Sequence, residues 1–495
     1  MKQTCLLVVA LGLLFASCRK SVKDEVNITG TPTDVIGNSS KTEFAQTLAR
    51  ALTNKEVRDL LRQEALKMFD KDYDVLYALS KDVTAPSGKT LHELVSAYAT
   101  DKARFDQITG QLPTLTIYVP QLDQFDADKW NTSAQVPIVA VRNPEDKKSG
   151  KPLLAYDDKG NTTHLKYAVK PDVPVIVVKE NERITTQSPG SFTNARSTNR
   201  TSAFLQKGGQ AFSFIDDSYD GVTNATGRTN HVQGDPHDPR DNRPLSMDID
   251  SLALRAYEKK ITPQRDYIYY DIDPTRGKDT GELRNDYGEF ITAITVNEYS
   301  SKDRIVDDFT DGMLEFQVTV FFLSREGAGG TLMKSFPCDP AKLFPKPRVV
   351  MGETRYWTET YVLSTPIPIT PWDMRKYGDT WKVLVMEYDP GTETTYTSNV
   401  TSTFGWNFGL DLGFEIEKVK VGLKFGINKT TAKSETFNIK VTGTSDNLGE
   451  GLLNFADPVV INRRMTPGLQ YSYVADTYEV NTGTVKVSIE PRKRF

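Results

Sequence analysis

The chain has 495 residues, which is too long for a single ordinary hydrophobic core, so two or three domains are expected. Its formal net charge of −4 argues against a nucleic-acid-binding protein, which would carry a strongly basic surface. With only three cysteines, the chain has no framework of disulfide bonds. The 21 tyrosines and 23 phenylalanines favour strands over helices.

The N-terminus carries the pattern of a secretory signal. Lys2 precedes an apolar run at residues 6–15, which is too short to span a bilayer as a helix. The sequence Leu14-Phe15-Ala16-Ser17-Cys18 resembles the lipobox of bacterial lipoproteins. That resemblance implies removal of a signal peptide at 1–17 and attachment of palmitate-type acyl chains to Cys18. It implies an outer-membrane location, lipid-anchored and either periplasmic or surface-exposed. The alternative is an ordinary secretory signal in which Cys18 is incidental.

Residues 18–39 are rich in polar and charged side chains and are predicted to form a flexible tether. Within the tether, Lys23-Asp24-Glu25 resembles the export tags of surface lipoproteins in Bacteroidetes-type bacteria. The alternative is an ordinary solvated linker.

Residues 40–106 are predicted to be a small helical segment. Three Ser/Thr-x-x-Glu patterns begin at Ser40, Thr53 and Thr90, and each is followed by apolar residues at helical spacing. Residues 70–74 alternate aspartate with other residues but lack the glycine and distal glutamate of a calcium loop. They are therefore interpreted as a charged helix exit.

Residues 107–186 are predicted to be rich in strands, which are expected at 115–119, 136–141, 153–156 and 173–178. Asn181, Glu182 and Arg183 follow the last of these strands and are candidates to line a site, although a solvated strand exit is the favoured interpretation. The order of helices, strands and the run at 174–183 resembles uncharacterised lipoproteins of Bacteroidetes-type bacteria, a resemblance that implies no activity.

Residues 187–259 are strongly polar and are interpreted as a linker or a functional loop. His231 and His237 lie close together in this segment, near aspartates, and are a candidate site for a transition metal. Their spacing matches no zinc motif.

Residues 260–495 are predicted to form a C-terminal antiparallel β-sandwich domain. Strands are expected at 267–272, 289–296, 313–323, 356–363, 381–388, 437–441, 459–461, 469–478 and 485–489. Several acidic residues fall at predicted loops or strand ends, in a layout similar to that of C2-type domains. This similarity makes them candidate Ca²⁺ ligands: Asp379, Glu387, Asp389, Asp446 and Asp457. Together with the preceding segments, the predicted fold class is α+β and mostly β.

A long β-hairpin is predicted at 403–428, with a turn at Glu417-Lys418. Apolar side chains alternate with glycine and polar residues on both arms. The favoured interpretation packs the apolar face inside the sandwich, and the alternatives expose it to a membrane or to a partner protein. The face in question on the first arm comprises Phe404, Trp406, Phe408, Leu410, Leu412 and Phe414.

The sequence contains no metalloprotease, nucleophile-elbow, phosphate-binding or dinucleotide-binding motif, and only four histidines offer a base near neutral pH. A non-enzymatic role is therefore favoured. The predicted function is binding or scaffolding at the outer membrane, with a membrane reached through the lipid anchor and a glycan or protein as ligand. One alternative is a membrane-inserting or pore-forming protein that uses the 403–428 hairpin. A carboxylate-dependent hydrolase is the other.

Overall fold

The computed structural model describes residues 32–187, 204–207, 210–222, 249–261, 263–278, 280–306, 308–323, 329–371, 377–378, 380–389, 393–405, 419–420, 430–443, 445–466 and 472–493. Over these ranges the fold is α+β and mostly β, as predicted. None of the helices in these ranges is both long enough and apolar enough to cross a membrane.

The N-terminal helices pack around a small aromatic cluster. Phe44 contacts Tyr77 and Phe105, with ring centroids 5.0 and 5.5 Å away. Of the three predicted capping boxes, the one at Thr90 is confirmed: its side chain accepts from the backbone N–H of Glu93 while the Glu93 carboxylate accepts from the N–H of Thr90. The other two are wrong, because Ser40 lies inside α1 and Asn54 caps α2. The helices are α1 (Pro32–Ala51), α2 (Lys55–Ala65), α3 (Tyr77–Ser80), α4 (Leu91–Ser96), α5 (Lys102–Gln111) and α6 (Pro144–Lys148).

These helices cover a six-stranded sheet with the order β1-β2-β6-β3-β4-β5. Of its described strand pairs, β3 and β6 are parallel and the others are antiparallel. The first strand lies within the segment predicted to be helical, so residues 40–106 and 107–186 share one core. The strands are β1 (Asp74–Leu76), β2 (Leu115–Tyr118), β3 (Ile138–Val141), β4 (Leu153–Tyr156), β5 (Thr162–Leu165) and β6 (Val175–Glu180).

A small three-stranded sheet connects this unit to the rest of the chain. It consists of β7 (Ile184–Gln187), β9 (Gln210–Phe214) and β8 (Phe204–Lys207), in the order β7-β9-β8. A 3-10 turn follows at Asp217–Tyr219. Phe212, Phe214 and Tyr219 pack with Leu76 and Ile184, so part of the polar segment 187–259 is folded.

Two four-stranded antiparallel sheets form the predicted C-terminal sandwich, in the orders β16-β11-β25-β24 and β13-β12-β17-β21. Their facing side chains build one core that contains Ile291, Val320, Trp381 and Val487. The strands are β11 (Tyr287–Val296), β12 (Leu314–Phe322), β13 (Gly330–Cys338), β16 (Thr360–Thr370), β17 (Thr380–Glu387), β21 (Asp446–Asn454), β24 (Glu479–Asn481) and β25 (Val485–Lys493).

Shorter elements surround the sandwich. The helices are α7 (Ser251–Glu258), α8 (Gln264–Tyr270), α9 (Lys302–Ile305) and α10 (Pro340–Leu343), and the strand pairs are β14 (Arg348–Val350) with β15 (Glu353–Arg355), β22 (Val460–Thr466) with β23 (Ser472–Thr477), and β10 (Thr280–Gly281) with β19 (Val419–Lys420). The strand predicted at 267–272 is wrong, because most of it belongs to α8. The aromatic residues of α8 favour a strand locally, but all seven of its residues are buried, and tertiary packing decides the conformation.

A third layer lies on the outer face of the second sheet. Strands β18 (Glu393–Gly405) and β20 (Thr430–Thr442) pair over 13 positions, from Glu393 opposite Thr442 to Gly405 opposite Thr430. Their buried side chains pack against alternate residues of β12 and β17 that point away from the sandwich core. This third core contains Phe321, Leu323, Leu384, Met386, Val400, Phe437, Ile439 and Val441.

Candidate functional site

A network of charged side chains lies where the N-terminal unit meets the sandwich. We call it the junction network, and all its members except Lys147 and Asp311 are buried. They come from the residues around β1, the ends of β3 and β6, helix α6, the chain leading into β12, and the end of β17. The members are Asp70, Asp72, Asp74, Arg142, Lys147, Lys179, Glu182, Arg183, Asp308, Asp311, Glu315, Glu387 and Asp389.

Arg183 is the central cation of the junction network and is fully buried. Its Nε donates to Glu315 at 2.8 Å, and one terminal nitrogen donates to Asp72 at 3.2 Å. The other terminal nitrogen donates to the backbone oxygen of Asp70 at 2.9 Å. The guanidinium also stacks over the Tyr219 ring, 5.3 Å from its centroid. Arg183 therefore joins the N-terminal unit, the 3-10 turn and the sandwich at one point.

Lys179 and Asn181 extend the network along β6. The Lys179 ammonium lies 3.4 Å from Asp74, forms an ion pair with Glu182, and sits 4.6 Å from the centroid of the Tyr118 ring. The Asn181 amide donates to Asp70 at 2.7 Å. The chain bends after β6, where the backbone N–H of Arg183 donates to the Asn181 side chain at 2.9 Å.

A second pair of cations, Arg142 and Lys147, binds the carboxylates contributed by the sandwich. Arg142 donates to Asp389 at 2.8 Å and pairs with Asp311. The Lys147 ammonium lies 3.1 Å from Asp311, 3.3 Å from Asp389 and 3.7 Å from Asp308. Arg142 follows β3 directly and Lys147 lies in α6, so the N-terminal unit supplies the cations and the sandwich supplies the anions.

Nine carboxyl groups and four cations make up the junction network, so it would be strongly negative if every carboxyl were ionised. Burial, together with the charge of Asp311, raises the pKa of Asp308 to about 7 and that of Asp389 to about 6. Burial acts in the same direction on Asp311, but Arg142 and Lys147 hold its pKa below the usual value. Burial also raises the pKa of Asp70, Asp74, Glu315 and Glu387. Burial therefore favours the protonated form of these carboxyl groups.

Gly312 lets the chain approach the network closely. Its φ of +86° is in the left-handed region, and an added Cβ would lie 2.2 Å from Asp72 Oδ2 and 3.0 Å from the Tyr118 hydroxyl. The neighbouring backbone N–H of Met313 donates to the same Asp72 oxygen at 3.0 Å. A side chain at this position would therefore push the sandwich away from Asp72.

The interpretation of residues 181–183 as a solvated strand exit is wrong, and the charged helix exit predicted at 70–74 is buried. Asp70, Asp72 and Asp74 are at most 1% exposed, and Asn181, Glu182 and Arg183 are at most 6% exposed. Their partners are more than 100 positions away in sequence, so local pattern does not reveal them. The period-two spacing of the aspartates is the one local signal of an extended chain with a single polar side.

The candidate Ca²⁺ ligands are distributed over different surroundings. Glu387 and Asp389 belong to the junction network, and Asp446 lies opposite Glu387 on β21. Asp457 accepts from the backbone N–H of Asn454 in a separate turn. Across the described ranges, no group of three acidic, histidine or cysteine residues is arranged to hold a metal ion. Asp379, His231, His237 and Cys18 lie outside the described residues, as do the side chains of the predicted hairpin face.

A cleft of about 570 Å³ opens beside the junction network. It lies between β13 and β16, which are the outermost strands of the two sandwich sheets, and the segment that follows β9. Polar and apolar side chains both line it, as is common in ligand sites. The lining residues are Lys71, Phe214, Ile215, Asp216, Asp217, Ser218, Lys334, Phe336, Pro337, Tyr361, Leu363, Ser364, Thr365, Pro366, Ile367 and Pro368.

One wall of the cleft is a bulge in β16. Ile291 pairs with Ile367 and Ala293 pairs with Val362, so four residues of β16 stand opposite Thr292 alone. These four residues, 363–366, all line the cleft, and Ser364 and Thr365 are exposed. Bulges of this kind redirect side chains and are frequent beside functional sites.

The opposite wall is formed by Lys71 and the 3-10 turn. Lys71 has a φ of 65°, a conformation that costs a non-glycine residue about 1–3 kcal/mol and is concentrated at functional sites. At this turn Asp70 and Asp72 enter the junction network, and Lys71 lines the cleft. Asp216 accepts from the backbone N–H groups of Ser218 at 3.0 Å and Ser335 at 3.2 Å, which fixes the turn against β13.

Cys338, which lies at the end of β13, is a buried free thiol. Burial raises its pKa well above the usual value, so the thiolate is disfavoured and nucleophilic chemistry at this residue is not supported.

Comparison of the chain with protein-family models, with curated proteins and with solved structures gives no match.

Proposed function

We propose that the chain is a lipid-anchored protein of the bacterial cell envelope that binds a ligand in the cleft between β13 and β16. The observation that carries the binding role is the construction of the cleft. A four-residue bulge, a lysine in a left-handed conformation and a turn fixed by two hydrogen bonds meet around one opening. The lipobox-like sequence ending at Cys18 supports the anchor and the location at the outer membrane.

The junction network supports this role by holding the two sides of the cleft together. Lys71 and Ser218 come from segments that contact Arg183, while the facing strands belong to the sandwich. Because a packed junction resists small displacements, the opening keeps its shape when no ligand is present. A preformed opening loses less conformational entropy on binding than a flexible one.

Hydrogen exchange of the full mature chain tests the binding role. The probes are a panel of neutral oligosaccharides, acidic oligosaccharides and short peptides. At least one probe is expected to slow exchange in 361–367 and 214–218 and to leave the exposed pair β14 and β15 unchanged. A probe that raises the melting temperature without slowing exchange in these two segments would show that the binding site lies elsewhere.

A membrane-active hairpin is the second candidate function, and the pairing of β18 with β20 supports the hairpin that it requires. Val400 on β18 and Phe437, Ile439 and Val441 on β20 point to the same, buried side. Counting in steps of two from Val400 along the sequence leads to Phe404 and the apolar residues that follow it. If this apolar face enters a bilayer, micromolar protein releases dye from liposomes, and a complete lack of release excludes the candidate.

A further inference from the structure

We infer that the cleft recognises a carboxylate-bearing carbohydrate, with Lys71 and Lys334 binding its carboxylates. This inference rests on the proposed function, because it names the ligand class of the same cleft. Both lysines line the opening, one from each side. Among the described residues, neither ammonium has a carboxylate within salt-bridge distance.

The surroundings of Lys71 favour an incoming anion. Burial lowers the pKa of Lys71, and this effect outweighs the attraction of Asp220. The buried cation Arg183 lowers it further, and the smaller effect of Asp216 raises it. A partly dehydrated ammonium without an ion-pair partner gains more from a ligand carboxylate than a fully hydrated one does.

The acidic residues on the cleft wall do not cancel the two lysines. Asp216 directs its carboxylate oxygens at two backbone N–H groups and so is committed to holding the turn. Asp217 is exposed at the rim. A carboxylate that accepts two N–H bonds is a weaker competitor for a nearby ammonium than a ligand that can approach from the opening.

The remaining lining groups suit a carbohydrate in particular. The bulge presents the hydroxyl groups of Ser364 and Thr365 to solvent, where they can pair with ligand hydroxyls. Pro337, Pro366 and Pro368 add rigid apolar surface to the lining, against which a sugar ring can pack. A simple anion such as phosphate would use the lysines but leave these hydroxyls and rings without contacts.

Calorimetric titration of the detergent-solubilised full mature chain tests this inference. The probe is a tetramer of galacturonic acid, compared with its methyl ester, which keeps the hydroxyls but has no charge, and with glutarate, which has carboxylates but no hydroxyls. The acidic tetramer is expected to bind at least about tenfold more tightly than either comparison compound.

Substitution of the lysines locates the interaction. Lys71→Met and Lys334→Met are each expected to weaken binding of the acidic tetramer about tenfold, and Lys71→Arg is expected to retain most of it. The matched control is Lys346→Met, which changes an exposed lysine outside the cleft. Circular dichroism and the melting temperature verify that each variant is folded.

Equal binding of the tetramer and its methyl ester, or unchanged binding in both lysine variants, would overturn the inference. If neutral probes slow hydrogen exchange at 361–367 while the acidic tetramer does not, the carbohydrate-acid inference fails and the binding role of the cleft stands. If no probe in the panel slows exchange there, the proposed function itself fails.

Discussion

Replacing Arg183 by methionine is expected to lower the free energy of unfolding by about 3–5 kcal/mol, which is the usual cost of removing one partner from a buried ion pair. The variant leaves Glu315 and Asp72 buried without the cation that they contact at 2.8 and 3.2 Å. Urea unfolding followed by tryptophan fluorescence measures the loss. Trp130 lies in the core of the N-terminal unit and Trp381 lies in the core of the sandwich, so the fluorescence follows the unfolding of both cores.

The control for this prediction is Arg276→Met. The Arg276 side chain is 77% exposed, so its replacement is expected to change the free energy of unfolding by no more than about 0.5 kcal/mol. The double variant Arg183→Met with Glu315→Gln removes an orphaned carboxylate and is expected to recover at least about 1 kcal/mol. If Arg183→Met is as stable as the wild type to within about 1 kcal/mol, Arg183 does not join the two units.

The stability of the fold is expected to fall as the pH rises, because of Asp308. The pKa of Asp308 is about 7 in the folded chain, against an ordinary value of 3.8, so the folded state binds its proton more tightly than the unfolded state does. Between these two values the folded chain holds more protons, and its stability therefore falls as the pH rises. At 1.36 kcal/mol per pKa unit, the ionisation of Asp308 lowers the free energy of unfolding by at most about 4 kcal/mol. Asp389 acts in the same direction up to about pH 6.

Asp308→Asn isolates this contribution, since asparagine resembles the protonated carboxyl and carries no charge. The variant is expected to be more stable than the wild type at pH 8 and no more stable at pH 5. The control, Asp303→Asn, changes an exposed carboxylate on α9, before the same loop, and should keep the wild-type pH dependence. Urea midpoints at both pH values give the comparison. If the urea midpoints of the wild type and of Asp308→Asn change by the same amount between pH 5 and pH 8, the pKa of Asp308 is not raised in the folded chain.

Local sequence signals predict the elements whose contacts are local. The capping box at Thr90 needs only Glu93, three residues later, and it is confirmed. The strand predicted at 313–323 is confirmed as β12, in which apolar and polar residues alternate up to Val320. One face meets the sandwich core, and Phe321 on the other face meets the β18 and β20 layer. The sequence shows the alternation but does not show that the polar face is buried as well.

The candidate site cannot be predicted from local sequence pattern, because its contacts join residues that are far apart in the sequence. Asp72 is a plausible surface residue until Arg183 and Met313, both more than 100 residues away, are placed beside it. The cleft depends on a bulge that shifts the register of β16 against β11. The sequence of residues 363–366 contains no signal that predicts this shift. Only the alternation of Asp70, Asp72 and Asp74 hints at the buried side, and it also fits an exposed turn.

The central claim is that an envelope lipoprotein presents the cleft from a membrane surface, and the chemistry of the mature N-terminus tests it most directly. Cells that express the chain are fed a labelled fatty acid, and the purified product is analysed by mass spectrometry. The account predicts a mature chain that begins at an acylated Cys18, and no label in the Cys18→Ser variant. An unlabelled product, or a mature chain that begins at any other residue, would contradict it.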